Sequence, residues 1–275
     1  MRKLYIILPV HNRKSITQEF VRLLKVQTYS NYHLILIDDG SGDGTEEMVR
    51  SHIPSLTVIK GKGDWFWGGS IYQGIKYIKL NHSDLADGVL IANDDIIFDH
   101  EFLEKGAKAL FSKGGNIIVA SCYSQQTGRL LGSGVHADWR NLTFIASNEP
   151  DKINCATTNA LFVTVRDLLQ IGDIHPKLIP HYLSDFEFTM RACKKGLKLV
   201  PEPSLTVFVN ETTTRNITGR VSGLFDYFNI RSPEYIVSWT FFILMLCPAR
   251  YKYLNLCRIW YQVLTAARRK ADRFL

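Results

Sequence analysis

The chain has 275 residues, of which 46% are hydrophobic and 21% charged, and its net charge is +7. This composition excludes a disordered protein, and the length suffices for one large domain or for a domain with an appendage. The five cysteines are scattered, with no Cys-x-x-Cys pair, which argues against a zinc site or a disulfide framework and favours a reducing, cytoplasmic location.

The positive charge is concentrated at the carboxyl end of the chain. Seven Lys or Arg and one Asp after residue 249 give +6, so residues 1–249 carry only +1. The near-neutral body argues against binding of nucleic acid, whereas the basic end suits contact with an anionic surface.

Short apolar runs and helical patterns alternate along the first hundred residues. The runs at 4–10, 34–37, 56–59 and 88–92 predict buried strands, and helices are predicted after residue 16 and at 71–80. This alternation predicts an α/β domain with a mostly parallel central sheet flanked by helices. Further along, the patterns predict helices at 101–111, 166–171 and 184–196, strands at 117–121 and 158–165, and antiparallel strands between 128 and 147.

Three of these predicted strands end in polar clusters. Pro9, His11 and Arg13 lie at the end of the first strand, Asp38 and Asp39 open the cluster 38–43 at the end of the second, and Asn93, Asp94 and Asp95 follow the fourth. Ligands collect at the carboxyl ends of parallel strands, so we expect these three clusters to line one crevice.

The two adjacent carboxylates, Asp94 and Asp95, are costly to remove from water. They either reach solvent as an ordinary acidic turn or hold a cation. Hard oxygen ligands at a strand end suit Mg²⁺ or Mn²⁺ shared with a phosphate-bearing substrate.

The glycine-rich loop after the second strand, residues 39–45, does not fit three common ligand loops. Arg50 stands where a calcium loop needs Glu, the third glycine of a dinucleotide-binding turn is missing, and no Walker phosphate loop occurs. The loop is expected to place Asp38 or Asp39 as an acceptor for the N–H groups of a base or for ribose hydroxyls.

Two further stretches are candidates for the site. Three aromatic residues precede two glycines from Trp65 to Gly69, and the indoles either line a sugar or acceptor pocket or belong to the core. In the second stretch, Ser184 and Glu187 predict a helix N-cap with a capping box. Asp185 is left to face the crevice.

In this order and spacing, the motifs resemble those of family 2 glycosyltransferases, nucleotide-sugar enzymes of the GT-A fold. The resemblance covers residues 3–210 and rests on Ile-Leu-Pro-Val-His-Asn-Arg, Ile-Asp-Asp-Gly-Ser-x-Asp-Gly-Thr, Asn-Asp-Asp and Ser-Asp-Phe-Glu-Phe. The Trp65–Gly69 stretch is similar to a subgroup that includes bacterial rhamnosyltransferases.

The resemblance implies a role for each matching residue. Asp185 would be the catalytic base and Asp95 the metal ligand, for Mg²⁺ or Mn²⁺. The nucleotide would be contacted by Pro9, His11, Arg13, Asp38, Asp39 and Asp94, and the sugar or acceptor by Trp65, Trp67, Gly68, Gly69 and Glu187.

Three positions depart from the family pattern. Asn93 stands where Asp is frequent, so it would form hydrogen bonds and not bind the metal. Ser184-Asp185 replaces a common Glu-Asp pair, which leaves Glu187 as an alternative base. Val209-Asn210-Glu211 stands where a histidine often follows the last strand, so a third protein ligand to the metal is not evident.

The implied activity is inverting, metal-dependent transfer of a sugar from a dTDP- or UDP-sugar to a hydroxyl of a glycan acceptor. The acceptor would be lipid-linked, in the synthesis of a bacterial surface polysaccharide such as lipopolysaccharide. Two alternatives stay open. A sugar nucleotidyltransferase would usually carry a glycine-rich phosphate loop after the first strand, and a non-catalytic sugar- or lipid-binding module would have no need of Asp95 and Asp185.

The sequence predicts a GT-A domain over residues 1–220 and a helical, basic extension over residues 221–275. The apolar run at 236–249 is too short to span a membrane. Leu256, Ile259, Trp260, Val263, Leu264 and Ala267 then recur at helical spacing. With Arg258 and the basic cluster at 268–270, this helix either makes peripheral contact with the inner face of the cell membrane or packs on its own domain or on a second subunit of a homo-oligomer.

Overall fold

A computed structural model describes residues 1–81, 84–112, 115–210 and 223–271, with side chains described only as far as residue 266 in the last helix. The first part alternates strands and helices as predicted, with an additional helix at Thr45–His52 that the sequence pattern did not indicate. It comprises β1 (Leu4–Val10), α1 (Lys14–Lys25), β2 (Tyr32–Asp38), α2 (Thr45–His52), β3 (Leu56–Lys60), α3 (Phe66–Asn81) and β4 (Gly88–Ala92).

The remainder of the chain mixes short strands with helices. It comprises β5 (Ile96–Ile97), α4 (Phe102–Ser112), β6 (Asn116–Ser124), β7 (Leu130–Gly132), β8 (Gly134–Asp138), β9 (Thr143–Ser147), β10 (Ala160–Thr164), α5 (Val165–Ile171), α6 (Ser184–Lys194), β11 (Lys198–Val209), α7 (Ile236–Leu246) and α8 (Ala249–Ala271). The antiparallel strands predicted between residues 128 and 147 are confirmed as β7, β8 and β9.

Nine strands of the described residues form one sheet, in the order β3-β2-β1-β4-β10-β6-β11-β5 with β7 beside β6. Strands β1 to β4 pair in parallel, and β10 runs antiparallel to both β4 and β6. The predicted α/β class is confirmed. The reversed strand β10 matters for the site, because it brings the residues that precede it to the carboxyl end of β4.

Alternate side chains of the strands enter two hydrophobic layers. In β1, Leu4, Ile6 and Leu8 pack towards α1, α2 and α4, whereas Tyr5 and Ile7 pack towards α3, α5 and α6. Both faces of the sheet are therefore covered, which explains why its central strands read as continuous apolar runs.

The carboxyl-terminal helices pack onto the rest of the protein. Phe242 and Leu246 of α7 lie in a cluster with Leu183 and Met190 at α6, and α7 packs against α8. The predicted domain boundary between residues 220 and 221 lies outside the described residues. Across the described part of the chain, every helix is too short or too polar to cross a membrane.

Candidate active site

The three predicted polar clusters meet at the carboxyl edge of the sheet. Val10 lies opposite Asp38 in the β1–β2 register, and Pro9 lies one position earlier in β1. The N–H of Asp39 donates to the carbonyl of Val10 at 3.0 Å, and Nδ1 of His11 lies 2.6 Å from the carbonyl oxygen of Asp39. The loops after β1 and β2 therefore form one surface.

Arg13 joins this surface to the end of β4. One guanidinium nitrogen lies 2.9 Å from Asp94 Oδ1 and another lies 2.9 Å from Asp95 Oδ2. The hydroxyl of Thr17, on α1, donates to the second oxygen of Asp94 at 2.8 Å. The adjacent carboxylates are thus not an ordinary solvated pair, since the guanidinium group of Arg13 bridges them.

Burial has opposite consequences for the charges of this cluster. It raises the pKa of Asp94 to about 6, even though Arg13 and the Thr17 hydroxyl favour the ionised form. For Arg13, burial lowers the pKa, but the two carboxylates outweigh burial and the pKa is raised. Arg13 therefore stays charged, whereas burial disfavours the ionised form of Asp94.

The carboxylate of Asp39 organises the loop after β3. It accepts the backbone N–H groups of Gly63 at 2.9 Å, Trp65 at 2.9 Å and Phe66 at 3.2 Å. Helix α3 begins at Phe66 and not near residue 71, and the Asp39 side chain, which follows β2, accepts the first N–H of the helix. The predicted contacts of Asp38 and Asp39 with the base or ribose stay predictions, and both residues are 4% exposed here.

The first turn of α3 connects the loop after β3 to two other parts of the site. Trp67 Nε1 donates to Asn93 Oδ1 at 3.0 Å, and the N–H of Gly68 donates to the carbonyl of Pro180 at 2.8 Å. Both Trp65 and Trp67 are partly buried against the core layer below α3. Core packing therefore accounts for these indoles, and their contact with sugar stays a prediction.

Gly68 permits the close approach of α3 to the loop that leads into α6. A Cβ atom at this position would lie 2.8 Å from the Pro180 carbonyl, 2.8 Å from Ser184 Oγ and 2.9 Å from the Ile179 carbonyl. Only a residue without a side chain fits such a contact, which gives this glycine a structural role. Gly69 is similarly enclosed, at 2.9 Å from Trp65 Cβ.

We expect Gly68→Ala to lower the free energy of unfolding by about 1–3 kcal/mol, because the added methyl group must displace backbone atoms. It should also lower kcat, since the displaced loop leads directly into α6, whose first turn contains Asp185. Thermal unfolding and initial rates measure the two effects. The matched control is Gly42→Ala, where a Cβ atom meets nothing within 4 Å, and its unfolding midpoint should stay unchanged. Equal midpoints for the two variants would contradict the proposed contact.

Asp185 lies in the first turn of α6. Its Oδ1 accepts the N–H of Phe186 at 2.8 Å, and the backbone of Thr158 provides a further hydrogen bond. Burial outweighs these bonds and raises the pKa of Asp185 to about 6. A carboxyl group with this pKa is largely ionised at neutral pH yet basic enough to accept a proton, as a general base must be.

The predicted N-cap at Ser184 is wrong. Leu183, in the left-handed conformation with a φ of 70°, is the N-cap, and Ser184 is the first helical residue. The Ser184 hydroxyl donates to the Ile179 carbonyl, so it braces the preceding loop. The predicted end of the helix is confirmed, because Gly196 adopts a φ of 88° just beyond α6.

Glu187 does not form the predicted capping box. Glu187 is only 1% exposed, and its two carboxylate oxygens accept hydrogen bonds from Arg191 at 2.7 and 2.9 Å. Nδ1 of His175 lies 3.5 Å from the same carboxylate. With these partners and so little exposure, Glu187 is a poor candidate for the base or for a sugar contact, and Asp185 is favoured.

Asp185 and the acidic pair are linked through two neighbouring residues, Thr158 and Asn159. The N–H of Asn93 donates to the carbonyl of Asn159 at 3.2 Å, and their side-chain amides pair at 3.0 Å. Thr158, the neighbour of Asn159, is bonded to Asp185. Asp185 thus contacts Thr158, and the next residue, Asn159, pairs with Asn93, the first residue of the Asn-Asp-Asp motif.

Asp95 is the residue that a cation could reach. Its side chain is 21% exposed, compared with 1% for Asp94. The described residues contain no group of three His, Cys, Asp or Glu side chains placed to hold a metal ion. At the end of β11, Asn210 accepts a hydrogen bond from Gln126 at 2.6 Å, and Glu211 lies outside the described residues. A divalent metal ion here would have few protein ligands, Asp95 among them, and phosphate oxygens of a bound nucleotide would supply the others.

Several residues of the site were not singled out from the sequence. Thr17, Thr158 and Asn159 carry no motif, and their role depends on contacts far along the chain. Arg231 is another, because its guanidinium carbon lies 5.8 Å from the ring centre of Phe66. It brings a positive charge from the carboxyl-terminal extension to the start of α3.

Residues 5–169 match the sequence profile of Glycosyl transferase family 2. The chain belongs to glycosyl transferase family 2. It is 33% identical over 86 residues to an uncharacterised glycosyltransferase of Rickettsia typhi, covering 29% of this chain and 27% of that protein. It is also 26% identical over 145 residues to the GalNAc(5)-diNAcBac-PP-undecaprenol beta-1,3-glucosyltransferase of Campylobacter jejuni, covering 50% and 45%.

The chain thus spans less than half the length of these two curated relatives. Among solved structures it is similar to the mannosyltransferase PcManGT of Pyrobaculum calidifontis in complex with GDP-Man and Mn²⁺. The TM-score is 0.61 at 14% identity, and the match covers 98% of this chain and 74% of that one. This likeness confirms the GT-A fold that the motifs indicated.

Proposed function

We propose that this family 2 chain is an inverting glycosyltransferase that uses a divalent metal ion. It moves a sugar from a dTDP- or UDP-sugar to a hydroxyl group of a lipid-linked glycan, in the synthesis of a bacterial surface polysaccharide. The observation that carries the proposal is Asp185, a carboxyl group with a pKa of about 6, which the contacts of Thr158 and Asn159 link to the Asn93-Asp94-Asp95 motif.

The donor side of the crevice is formed by the loops after β1, β2 and β4. His11 and Arg13 stand beside Asp39 and the acidic pair, and their charge and hydrogen-bonding groups suit a nucleoside diphosphate. Arg13 would exchange a carboxylate partner for a phosphate oxygen when the donor binds, since a guanidinium pairs well with either.

Asp185 would take the proton from the acceptor hydroxyl as that oxygen attacks the anomeric carbon of the sugar. The bond to the nucleoside diphosphate breaks on the opposite face, which inverts the configuration. The developing negative charge on the diphosphate lies towards Arg13. A Mg²⁺ or Mn²⁺ ion held by Asp95 would add charge stabilisation at the diphosphate. The structural relative with bound Mn²⁺ supports a divalent ion without deciding between the two metals.

The lipid-linked acceptor is supported by the name of the Campylobacter relative, whose acceptor carries undecaprenol. Such an acceptor would require the enzyme to work at the inner face of the cell membrane through peripheral contact. A rhamnosyl donor, suggested by the Trp65–Gly69 stretch, is one of the donors within this proposal.

Binding of nucleotides tests the donor class. We expect UDP or dTDP with Mn²⁺ to raise the thermal midpoint, whereas GDP and CDP with Mn²⁺ should raise it less, because a ligand stabilises the folded state by its affinity. At a ligand concentration 100 times the Kd, the gain is about 2.7 kcal/mol. A shift that is equal for all four nucleotides would contradict base selection by the loop after β2.

Product analysis separates the two alternatives. With nucleotide-sugar and Mn²⁺, a glycosyltransferase releases nucleoside diphosphate, whether the sugar passes to an acceptor or slowly to water. A nucleotidyltransferase would instead form nucleotide-sugar from sugar phosphate and a nucleoside triphosphate. A binding module would release nothing, and either of these last results would refute the proposal.

A further inference from the structure

Helix α8 has two apolar faces on opposite sides. The first contains Ile259, Val263 and Ala266, which are buried against α7 and the short 3₁₀ helix Leu224–Phe228. The second contains large side chains that are exposed, and it is called the outer face below. Its members are Tyr253 (82% exposed), Leu254 (47%), Trp260 (44%), Tyr261 (65%) and Leu264 (62%).

The sequence pattern had merged these two faces into one. Of its predicted stripe, Leu256, Ile259 and Val263 pack on the protein, whereas Trp260 and Leu264 belong to the outer face. Positions 253, 260 and 264 recur at i, i+7 and i+11, so they share one side of the helix. Packing on the same chain is therefore satisfied by the first face and does not explain the second.

Charge and residue type indicate what meets the outer face. Helix α8 holds six basic residues and no acidic one, namely Arg250, Lys252, Arg258, Arg268, Arg269 and Lys270. The last three are counted from the sequence, because their side chains lie outside the described set. A second copy of this helix would bring six like charges against six, which opposes self-association.

An anionic lipid surface complements both properties. Its phosphate groups attract the basic residues, each of which adds binding energy near the membrane. Trp and Tyr side chains are favoured at the level of the lipid headgroups, where the ring meets hydrocarbon and the polar atom meets water. Leu254 and Leu264 supply the purely apolar contact.

We propose that the outer face of α8 binds the surface of an anionic lipid bilayer, with the helix lying in the plane of the membrane. The remainder of the protein would stay on the water side. Because α7 connects α8 to the cluster at Leu183 and Met190, the bound helix would hold the acceptor side of the crevice near the bilayer. The binding itself needs neither donor nor acceptor. It can therefore be tested independently of the proposed function.

Flotation with lipid vesicles, without nucleotide and under reducing conditions, tests the proposal. The full chain should float with vesicles of phosphatidylglycerol and phosphatidylcholine in equal parts, and far less with phosphatidylcholine alone. The double substitution Trp260→Ser with Leu264→Ser should weaken binding roughly 100-fold, at about tenfold for each lost apolar side chain. The matched control is Leu80→Ser, at the end of α3 and 73% exposed, which should bind as the wild type does.

Unfolding midpoints check that the double variant is folded, and Tyr253→Ser, at the most exposed position of the face, provides a second variant. Flotation of the double variant equal to that of the wild type would overturn the proposal. Failure of the wild-type chain to float with the anionic vesicles would also overturn it. A dimer in sedimentation velocity that the double substitution dissociates, without vesicle binding, would assign the face to a second copy and also overturn it.

Discussion

Asp185→Asn is expected to lower kcat by roughly 10² to 10⁴-fold while the affinity for the nucleoside diphosphate stays nearly unchanged. The amide cannot accept the proton of the acceptor hydroxyl, yet it keeps the shape of the carboxyl group at the start of α6. Initial rates with donor and acceptor, together with calorimetric titration of the nucleotide, measure the two quantities separately.

The control for this substitution is Glu187→Gln. Arg191 would lose its buried carboxylate partner, so the variant should be less stable, by about 3–5 kcal/mol for breaking a buried pair. The fraction that remains folded should still turn over, because Asp185 is intact. If Asp185→Asn turned over normally and folded Glu187→Gln showed no turnover, Glu187 and not Asp185 would be the base.

The raised pKa of Asp185 also predicts how pH acts on both activity and stability. Turnover should fall as pH drops below about 6, where the base becomes protonated. The native carboxyl group holds its proton more tightly than the unfolded one, so between pH 4 and 6 its contribution to stability declines as pH rises. The stability of Asp185→Asn relative to wild type should therefore improve from pH 4 to pH 8. Asp94 titrates in the same range, so the variant, and not the profile alone, identifies the base.

Asp95→Ala is the second substitution with a large expected effect. The metal ion would stabilise the negative charge that develops on the diphosphate by several kcal/mol. Loss of this stabilisation corresponds to a roughly 10² to 10³-fold lower rate. Mn²⁺ should also cease to strengthen binding of the nucleoside diphosphate. Rates as a function of metal concentration, and titration of the nucleotide with and without Mn²⁺, check these two outcomes.

Asp173→Ala is the matched control for this experiment. Asp173 is an exposed carboxylate that pairs with Lys79 at 2.9 Å, at the opposite end of α3 from the crevice. Exposed pairs contribute little to stability, so the variant should keep both its activity and its metal response. A wild-type enzyme that a chelator leaves unaffected would remove the metal from the mechanism altogether.

Short-range pattern was sufficient for much of the fold. The apolar runs of β1, β2 and β4 and the polar residues that follow them placed three clusters on one edge of the sheet, since parallel strands connected by helices end on the same side. The proximity of His11, Arg13, Asp94 and Asp95 was predicted in this way. Gly196 was also placed correctly, because a helix end favours a residue that adopts a left-handed conformation at little cost.

Contacts between distant residues decided the remainder. The start of α3 at Phe66 depends on Asp39, whose carboxylate satisfies donors more than twenty positions away. The N-cap of α6 is Leu183 and not Ser184, because the Ser184 hydroxyl donates to the Ile179 carbonyl in the loop that packs against Gly68. Local propensity contains no information about such partners. The capping box that the local sequence predicted at Ser184 and Glu187 therefore does not form.

By itself, the sequence determined the α/β class, the edge of the sheet where the site lies and the acidic residues that gather there. Tertiary structure decided which carboxylates are paired, which ones have a raised pKa, and which side of α8 faces outwards. The physical reason is that periodicity fixes the face on which a side chain lies, whereas its charge state and its exposure depend on what the folded chain brings against that face.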